Sequence, residues 1–241
     1  MKTIIIIQAR MGSTRLPGKV LRPLGTTDVL SYVVARCQAV EKVSEVIVAT
    51  STLPEDEAIE QWCREKKVSC FRGSQDDVLL RYIECARERQ PDYVIRVTSD
   101  CPFIDYHLME QIMETMEKHP SDLVRVEGEL PRGLVSEMFS FQALNYIHQH
   151  GYEPRHREHV TYYAYEYPEK FQAASFEAPR SMRYPQFRIT LDTSEDYAML
   201  QEVANHFADD MLVCAQKVVD FLRDHPEVAK INVHIEQKPV V

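Results

Sequence analysis

The sequence predicts an open α/β fold, a mostly parallel sheet with helices on both faces, and three observations carry that expectation. Short apolar runs of strand length, such as Ile4–Ile7 and Val46–Ala49, alternate with longer stretches whose apolar residues recur at helical spacing. The 241 residues, 44% apolar and 27% charged, are enough to bury a real core and have the composition of a folded protein. Finally, the predicted strands run into loops of small and charged residues. In such sheets ligands bind beyond the C-terminal strand ends, so Ala9–Lys19, Thr50–Pro54 and Ser99–Pro102 fall on one rim.

The chain opens with a strand over Lys2–Gln8, followed by the loop Ala9–Lys19 and a helix over Val29–Val40. Val46–Ala49 is the next strand, Glu55–Lys67 a helix, Val68–Phe71 a short strand, and Asp77–Arg89 a helix that Asp76 or Asp77 could cap. Tyr93–Thr98 reads as a buried strand, Tyr106–His119 as a helix and Asp122–Val126 as a strand. The alternation then breaks down. Pro131-Arg132-Gly133 is a turn, Leu134–Phe139 a strand, Phe141–His150 a helix, Arg157–Tyr165 a tyrosine-rich helix, and Phe171–Phe176 a strand. Phe187–Leu191 is expected to return to the sheet before a helix over Ser194–Phe207 with Ser194 as its N-cap. The expected organisation is one domain over 1–241, with residues 127–185 inserted as a lobe that could pack against a second subunit.

Several function classes lose ground on composition. A formal charge of −9 without a polybasic tail argues against nucleic-acid binding. The apolar run Ile4–Ile7 is far below the roughly 20 residues of a membrane span, and it is too short for a signal h-region. A cytoplasmic protein is expected. The six cysteines form no CxxC pair and read as reduced, structural residues. His148/His150 and His156/His159 lack zinc spacing.

Charge is unevenly placed. Residues 1–27 contain Lys2, Arg10, Arg15, Lys19 and Arg22 and no carboxylate, which suits a small, highly charged anion or simply a solvated basic surface. Within this stretch Gly12, Gly18 and the hydroxyl residues allow backbone N–H groups to face phosphate, while Arg10, Arg15 and Lys19 supply charged donors. Val20 after Lys19 rules out a Walker A motif, and no GxGxxG is present. Two aspartates, Asp100 and Asp192, each follow an apolar run. Facing a phosphate loop they would form a Mg²⁺ site; alternatively Asp192 caps a helix and Asp100 shapes a turn.

The segment Ile7–Lys19 resembles the nucleotide-binding signature of the sugar-acid cytidylyltransferases, the CMP-KDO and CMP-acylneuraminate synthetases. Phe71–Ser74, Asp77–Leu79, Arg96–Pro102, Arg157–Thr161 and Ile231–His234 resemble the branch typified by spore coat polysaccharide biosynthesis protein SpsF. The likeness runs through nearly the whole chain. It implies a GT-A-like, Rossmann-related nucleotide-diphospho-sugar transferase fold, often dimeric through the inserted lobe. It also implies the reaction: a sugar acid of the sialic, legionaminic or KDO kind attacks CTP to give a CMP-sugar and pyrophosphate for polysaccharide biosynthesis, with a spore coat as one destination.

By the same resemblance Ala9, Arg10, Gly12, Ser13, Arg15, Lys19 and Ser99 would bind the nucleotide, with Arg10, Arg15, Lys19 and Asp100 central to catalysis. Asp100 and Asp192 would hold Mg²⁺, and Gly73, Asp77 and Arg96 would touch base, ribose or sugar. Cys101 departs from the glutamate usual in KDO synthetases, which leaves the sugar open. Arg132, Arg155 and Arg157 are candidates for a sugar carboxylate, and Glu137 and His159 for its hydroxyls. Arg157, Glu158 and His159 could equally form a helix start with an intersubunit salt bridge. Two rivals remain, a GT-A glycosyltransferase, which usually needs a DxD motif absent from these strand ends, and a non-catalytic nucleotide-sugar-binding subunit.

Overall fold

The computed structural model describes residues 1–208, 210–238 and 240. The strand β1 (Thr3–Gln8) emerges from the isoleucine run and ends at the loop that carries the basic cluster. A 3-10 turn over Lys19–Leu21 follows, then the two-residue strands β2 (Pro23–Leu24) and β3 (Thr27–Asp28), which pair antiparallel as a separate ribbon. Asp28 caps α1 (Val29–Gln38) by accepting from the Ser31 N–H at 2.8 Å. The chain continues through β4 (Glu45–Ser51), a 3-10 turn at Pro54–Asp56, α2 (Glu57–Lys66), β5 (Ser69–Gly73), α3 (Val78–Arg89), β6 (Tyr93–Thr98), α4 (Tyr106–Lys118) and β7 (Leu123–Glu127).

The segment after β7 contributes to the same sheet. β8 (Glu137–Ser140) is followed by α5 (Phe141–His150), α6 (Pro154–Glu158), α7 (Tyr162–Glu166) and β9 (Ala173–Glu177). The seven strands lie in the order β5-β4-β1-β6-β8-β7-β9, with β8 antiparallel to both neighbours and every other pairing parallel. Alternation along β1 sends Ile5 and Ile7 to one face, where they meet residues of α1, α2 and α4, and Ile4 and Ile6 to the other, where α3, α5 and α7 pack. This double coverage is why the central strands read as unbroken apolar runs.

Three sequence expectations need correction. Phe187–Leu191 joins no strand of the sheet; it makes one parallel bridge, Arg188 with Arg132. Arg157–Tyr165 is not a continuous helix, because buried Val160 adopts φ 45° and splits it into α6 and α7. The N-cap of α8 (Ser194–His206) is Thr193, not Ser194: its side chain accepts from the Asp196 N–H at 3.2 Å, and Asp196 returns the bond in a capping box. The helices α9 (Ala215–Asp224) and α10 (Pro226–Ala229) were not anticipated.

A third apolar cluster joins α8 and α9 to Tyr32 of α1 and to Phe103. Fully buried Arg36 fastens this body to the sheet, donating to the carbonyls of Ile104, Met211 and Val213 at 2.7, 2.7 and 2.8 Å. Among the described residues no helix is long and apolar enough to cross a membrane.

Candidate active site

The C-terminal strand ends open onto a cleft of about 420 Å³. The basic loop forms one side. Its shape depends on buried Asp56, which accepts from the Met11 N–H at 2.6 Å, and on Gly18, whose φ of 66° lets its N–H reach the Met11 carbonyl at 3.0 Å. Ala9, Arg10, Ser13, Arg15 and Lys19 all line the cleft.

Lys19 stands at its centre. Its Nζ donates to Asp100 Oδ2 and Asp192 Oδ1 at 2.9 Å each, and to the Leu191 carbonyl at 2.6 Å. Arg15 Nη2 reaches the same Asp192 oxygen at 2.9 Å. Burial alone would depress the Lys19 ammonium, yet the two carboxylates outweigh it and raise its pKa above the ordinary lysine value. Burial likewise works to raise Asp100, and Lys19 with the surrounding hydrogen bonds overcomes it, holding this carboxyl below its usual range. The neighbouring Cys101 thiol is pushed up to about 12 by burial and by Asp100, so it is no nucleophile.

The reading of Asp192 as a mere capping residue does not hold. Thr193 and Asp196 do the capping, while Asp192 Oδ2 accepts from Arg188 Nη2 at 2.6 Å, leaving Oδ1 turned to the loop cations. Arg188 is in turn fixed by fully buried Asp196 through Nε at 2.9 Å, and Asp196 also accepts from Asn232 at 2.9 Å. The segment Ile231–His234 thus supports the site from behind.

The far side of the cleft holds Arg132, which has no ionic partner among the described residues, and His159. Arg132 arrives there because Gly133, at φ 98°, packs where a Cβ would lie 2.2 Å from the Ile189 carbonyl oxygen. Burial, reinforced by Arg96 and Arg10, lowers the His159 pKa and keeps the imidazole neutral. Arg10 Nη2 lies 3.7 Å from Glu158 across the opening.

Arg96, Ser99, Asp100 and Asp192 join the loop residues around the cleft. Six other expected site residues do not line it, among them Arg155, which pairs instead with Glu153 at 2.6 Å and Glu166 at 3.0 Å. Gly12 faces Glu55, and Gly73 packs beneath Arg81. Asp77 caps α3, accepting from the Leu80 N–H at 2.7 Å, and Arg157 pairs with Asp77 at 3.4 Å. Glu137 accepts from Arg96 at 2.5 Å, Tyr165 at 2.5 Å and Thr161 at 3.0 Å, which fixes it as the group that orients Arg96. Sequence reasoning overlooked Gln8 and Arg81, which line the cleft, and the Arg188–Asp196–Asn232 support. The one available signal was that Asn232 lies in Ile231–His234, a segment that carries the family resemblance.

Among the described residues no group of three or more His, Cys, Asp or Glu side chains is gathered to hold a metal. Asp100 and Asp192 nonetheless converge on one cation, the Lys19 ammonium, at 2.9 Å each. Two hard oxygen donors that converge so closely fit a Mg²⁺ ion completed by phosphate oxygens.

A family model described as cytidylyltransferase matches residues 4–237. Spore coat polysaccharide biosynthesis protein SpsF of Bacillus subtilis is 33% identical over 231 residues, covering 94% of this chain and 96% of that protein. An 8-amino-3,8-dideoxy-manno-octulosonate cytidylyltransferase of Shewanella frigidimarina is 30% identical over 123 residues, 51% of this chain and 50% of that protein. The solved structure of a cytidylyltransferase from Leptospira borgpetersenii superimposes with a TM-score of 0.89 at 29% identity, covering 99% of this chain and 100% of that one. Basic loop, paired carboxylates and family match agree, and the chain belongs to the cytidylyltransferase family, enzymes that transfer a cytidylyl group from CTP.

Proposed function

We propose that this cytidylyltransferase activates a sugar acid of the sialic, legionaminic or octulosonic kind, yielding a CMP-sugar and pyrophosphate for polysaccharide biosynthesis. The observation that carries this reading is the placement of Arg10, Arg15 and Lys19 opposite Asp100 and Asp192 in a cleft whose far wall offers Arg132, a cation with no ionic partner among the described residues. The names of SpsF and of the octulosonate enzyme support the substrate class and the pathway, with a spore coat glycan as one destination.

In this reading the loop cations hold the triphosphate oxygens, Arg132 binds the sugar carboxylate, and neutral His159 hydrogen-bonds a sugar hydroxyl. The anomeric hydroxyl oxygen attacks the α-phosphorus. The new O–P bond forms as the bond to the bridging oxygen breaks, pyrophosphate leaves with that electron pair, and the hydroxyl proton passes to solvent. Asp100 and Asp192 would hold Mg²⁺, which when bound neutralises phosphate charge. The protein's own contribution is alignment and charge placement.

Cytoplasmic action and a homodimer built through the lobe at 127–185 complete the proposal. Six free cysteines agree with a reducing compartment, and Tyr152 and Tyr165, at 75% and 57% exposure, offer aromatic contact surface within that lobe. Incubation with CTP and a panel of sugar acids, read by mass spectrometry, tests the reaction. A CMP-sugar with an equal amount of pyrophosphate is expected; CTP left intact with every sugar acid contradicts it.

A further inference from the structure

The wall of the cleft nearest α3 carries two polar groups that find no partner among the described residues. Arg81 lines the cleft although it is only 1% exposed. Its Nη1 donates to the Ser74 carbonyl at 2.9 Å, its Nε is buried without a hydrogen-bond partner, and no carboxylate pairs with it among the described residues. Gln8, at the end of β1, lines the same cleft, and its Oε1 is also buried without a partner. Buried orphan groups are costly, and at a ligand site they point to the bonds a ligand completes.

The chemistry of the pair is specific. With Nη1 engaged, the remaining Nε–Nη2 edge of Arg81 is a fork of two parallel donors. Gln8 Oε1 is an acceptor. A ligand meeting both needs two adjacent hydrogen-bond acceptors followed by a donor. Phosphate and carboxylate groups fill the fork but are repelled by the Gln8 oxygen. Uracil presents acceptor, donor, acceptor. Cytosine presents O2, N3 and the 4-amino group, which is acceptor, acceptor, donor. Val78, which also lines the cleft, supplies apolar contact for the ring.

We infer that Gln8 and Arg81 form the base-reading pair of the cleft and select cytosine over uracil. The inference rests on the cytidylyl-transfer reading and adds the residues that make it specific.

Calorimetric titration with CMP, UMP and N4,N4-dimethyl-CMP tests it without requiring turnover. Wild-type protein should prefer CMP over UMP, and over the dimethyl analogue, which lacks the amino protons, by about tenfold or more. Arg81→Met should lose most of the CMP-over-UMP preference while keeping its affinity for pyrophosphate. Gln8→Leu, a milder change should Arg81→Met fail to fold, should bind CMP and the dimethyl analogue alike. Folded variants that retain the wild-type ratios overturn the inference. They leave the proposed reaction standing, because formation of the CMP-sugar by wild-type protein is a separate measurement.

Discussion

Lys19 donates from a single nitrogen to Asp100 and Asp192, so one side chain joins the basic loop to both carboxylates. If the loop grips the triphosphate, Lys19→Ala should weaken CTP binding by about 1.5–3 kcal/mol and CMP binding much less, since charge-assisted bonds to the outer phosphates are lost. Equal calorimetric losses for both nucleotides would remove Lys19 from that role. Acid stability gives a second prediction. The folded Asp100 pKa lies below its unfolded value, so its contribution is complete above the ordinary carboxylate value of about 4 and is lost as pH falls through the lower folded value. Lys19→Met removes the ammonium that opposes burial, so its melting temperature should fall less between about pH 6 and pH 3 than that of the wild type. A parallel fall would show that the pair does not set the acid limb. The loop cations and Asp100 were legible because each follows an apolar run that had to be a strand; Asp192 was legible from the apolar run Phe187–Leu191, which reaches the same cleft although it lies outside the sheet. The pairing of Glu137 with Arg96 was not, because it depends on the β6–β8 register that sets the two residues opposite each other.

At the scale of elements, the turn before α8 shows what a cap does for a site. Thr193 caps the helix, and Asp196, fully buried, accepts from Arg188, Asn232 and the backbone N–H groups of Asp192 and Thr193. Thr193→Ala should cost about 1 kcal/mol, the usual value of an N-cap. Asp196→Ala should cost about 3–5 kcal/mol, because it leaves the buried Arg188 without its main partner. Urea unfolding would separate the two, and similar losses would contradict the assignment. Helix-start chemistry was readable around residue 194, but the choice of Thr193 over Ser194 turns on side-chain direction. The break at Val160 was not readable at all. The Thr161 N–H closes a three-residue turn on the His159 carbonyl at 2.5 Å, around a β-branched residue at positive φ. Such backbone is unfavourable locally and is held by its surroundings. Here it separates His159, in the cleft, from Thr161, on Glu137.

Over the whole molecule, the alternation of strands and helices made the parallel sheet legible through β7. The later order was hidden, because β8 returns between β6 and β7 and only three-dimensional pairing reveals it. The tyrosine-rich stretch also divides in a way spacing does not show. Tyr163 turns inward against Tyr146 and Phe171, while Tyr165 is exposed. Association through this lobe predicts a dimer by light scattering at micromolar concentration; a monomer would refute it without touching the chemistry. The fold's main consequence is that Asp100, after β6, and Asp192, before α8, meet at one point although they are distant in sequence. Because Lys19, Arg15 and Arg188 now neutralise these carboxylates, replacing either one relieves no repulsion, and some loss of stability is expected alongside the loss of activity. The most direct test of cytidylyl transfer at this site is therefore pyrophosphate release from CTP and a sugar acid across a Mg²⁺ titration, for Asp100→Asn, Asp192→Asn and the double variant, with thermal melts as the folding control. Each single variant should nearly abolish turnover, and the double variant should be scarcely worse than either, as for groups that act as a unit. Wild-type turnover and metal dependence in a folded Asp192→Asn protein would contradict the two-carboxylate site.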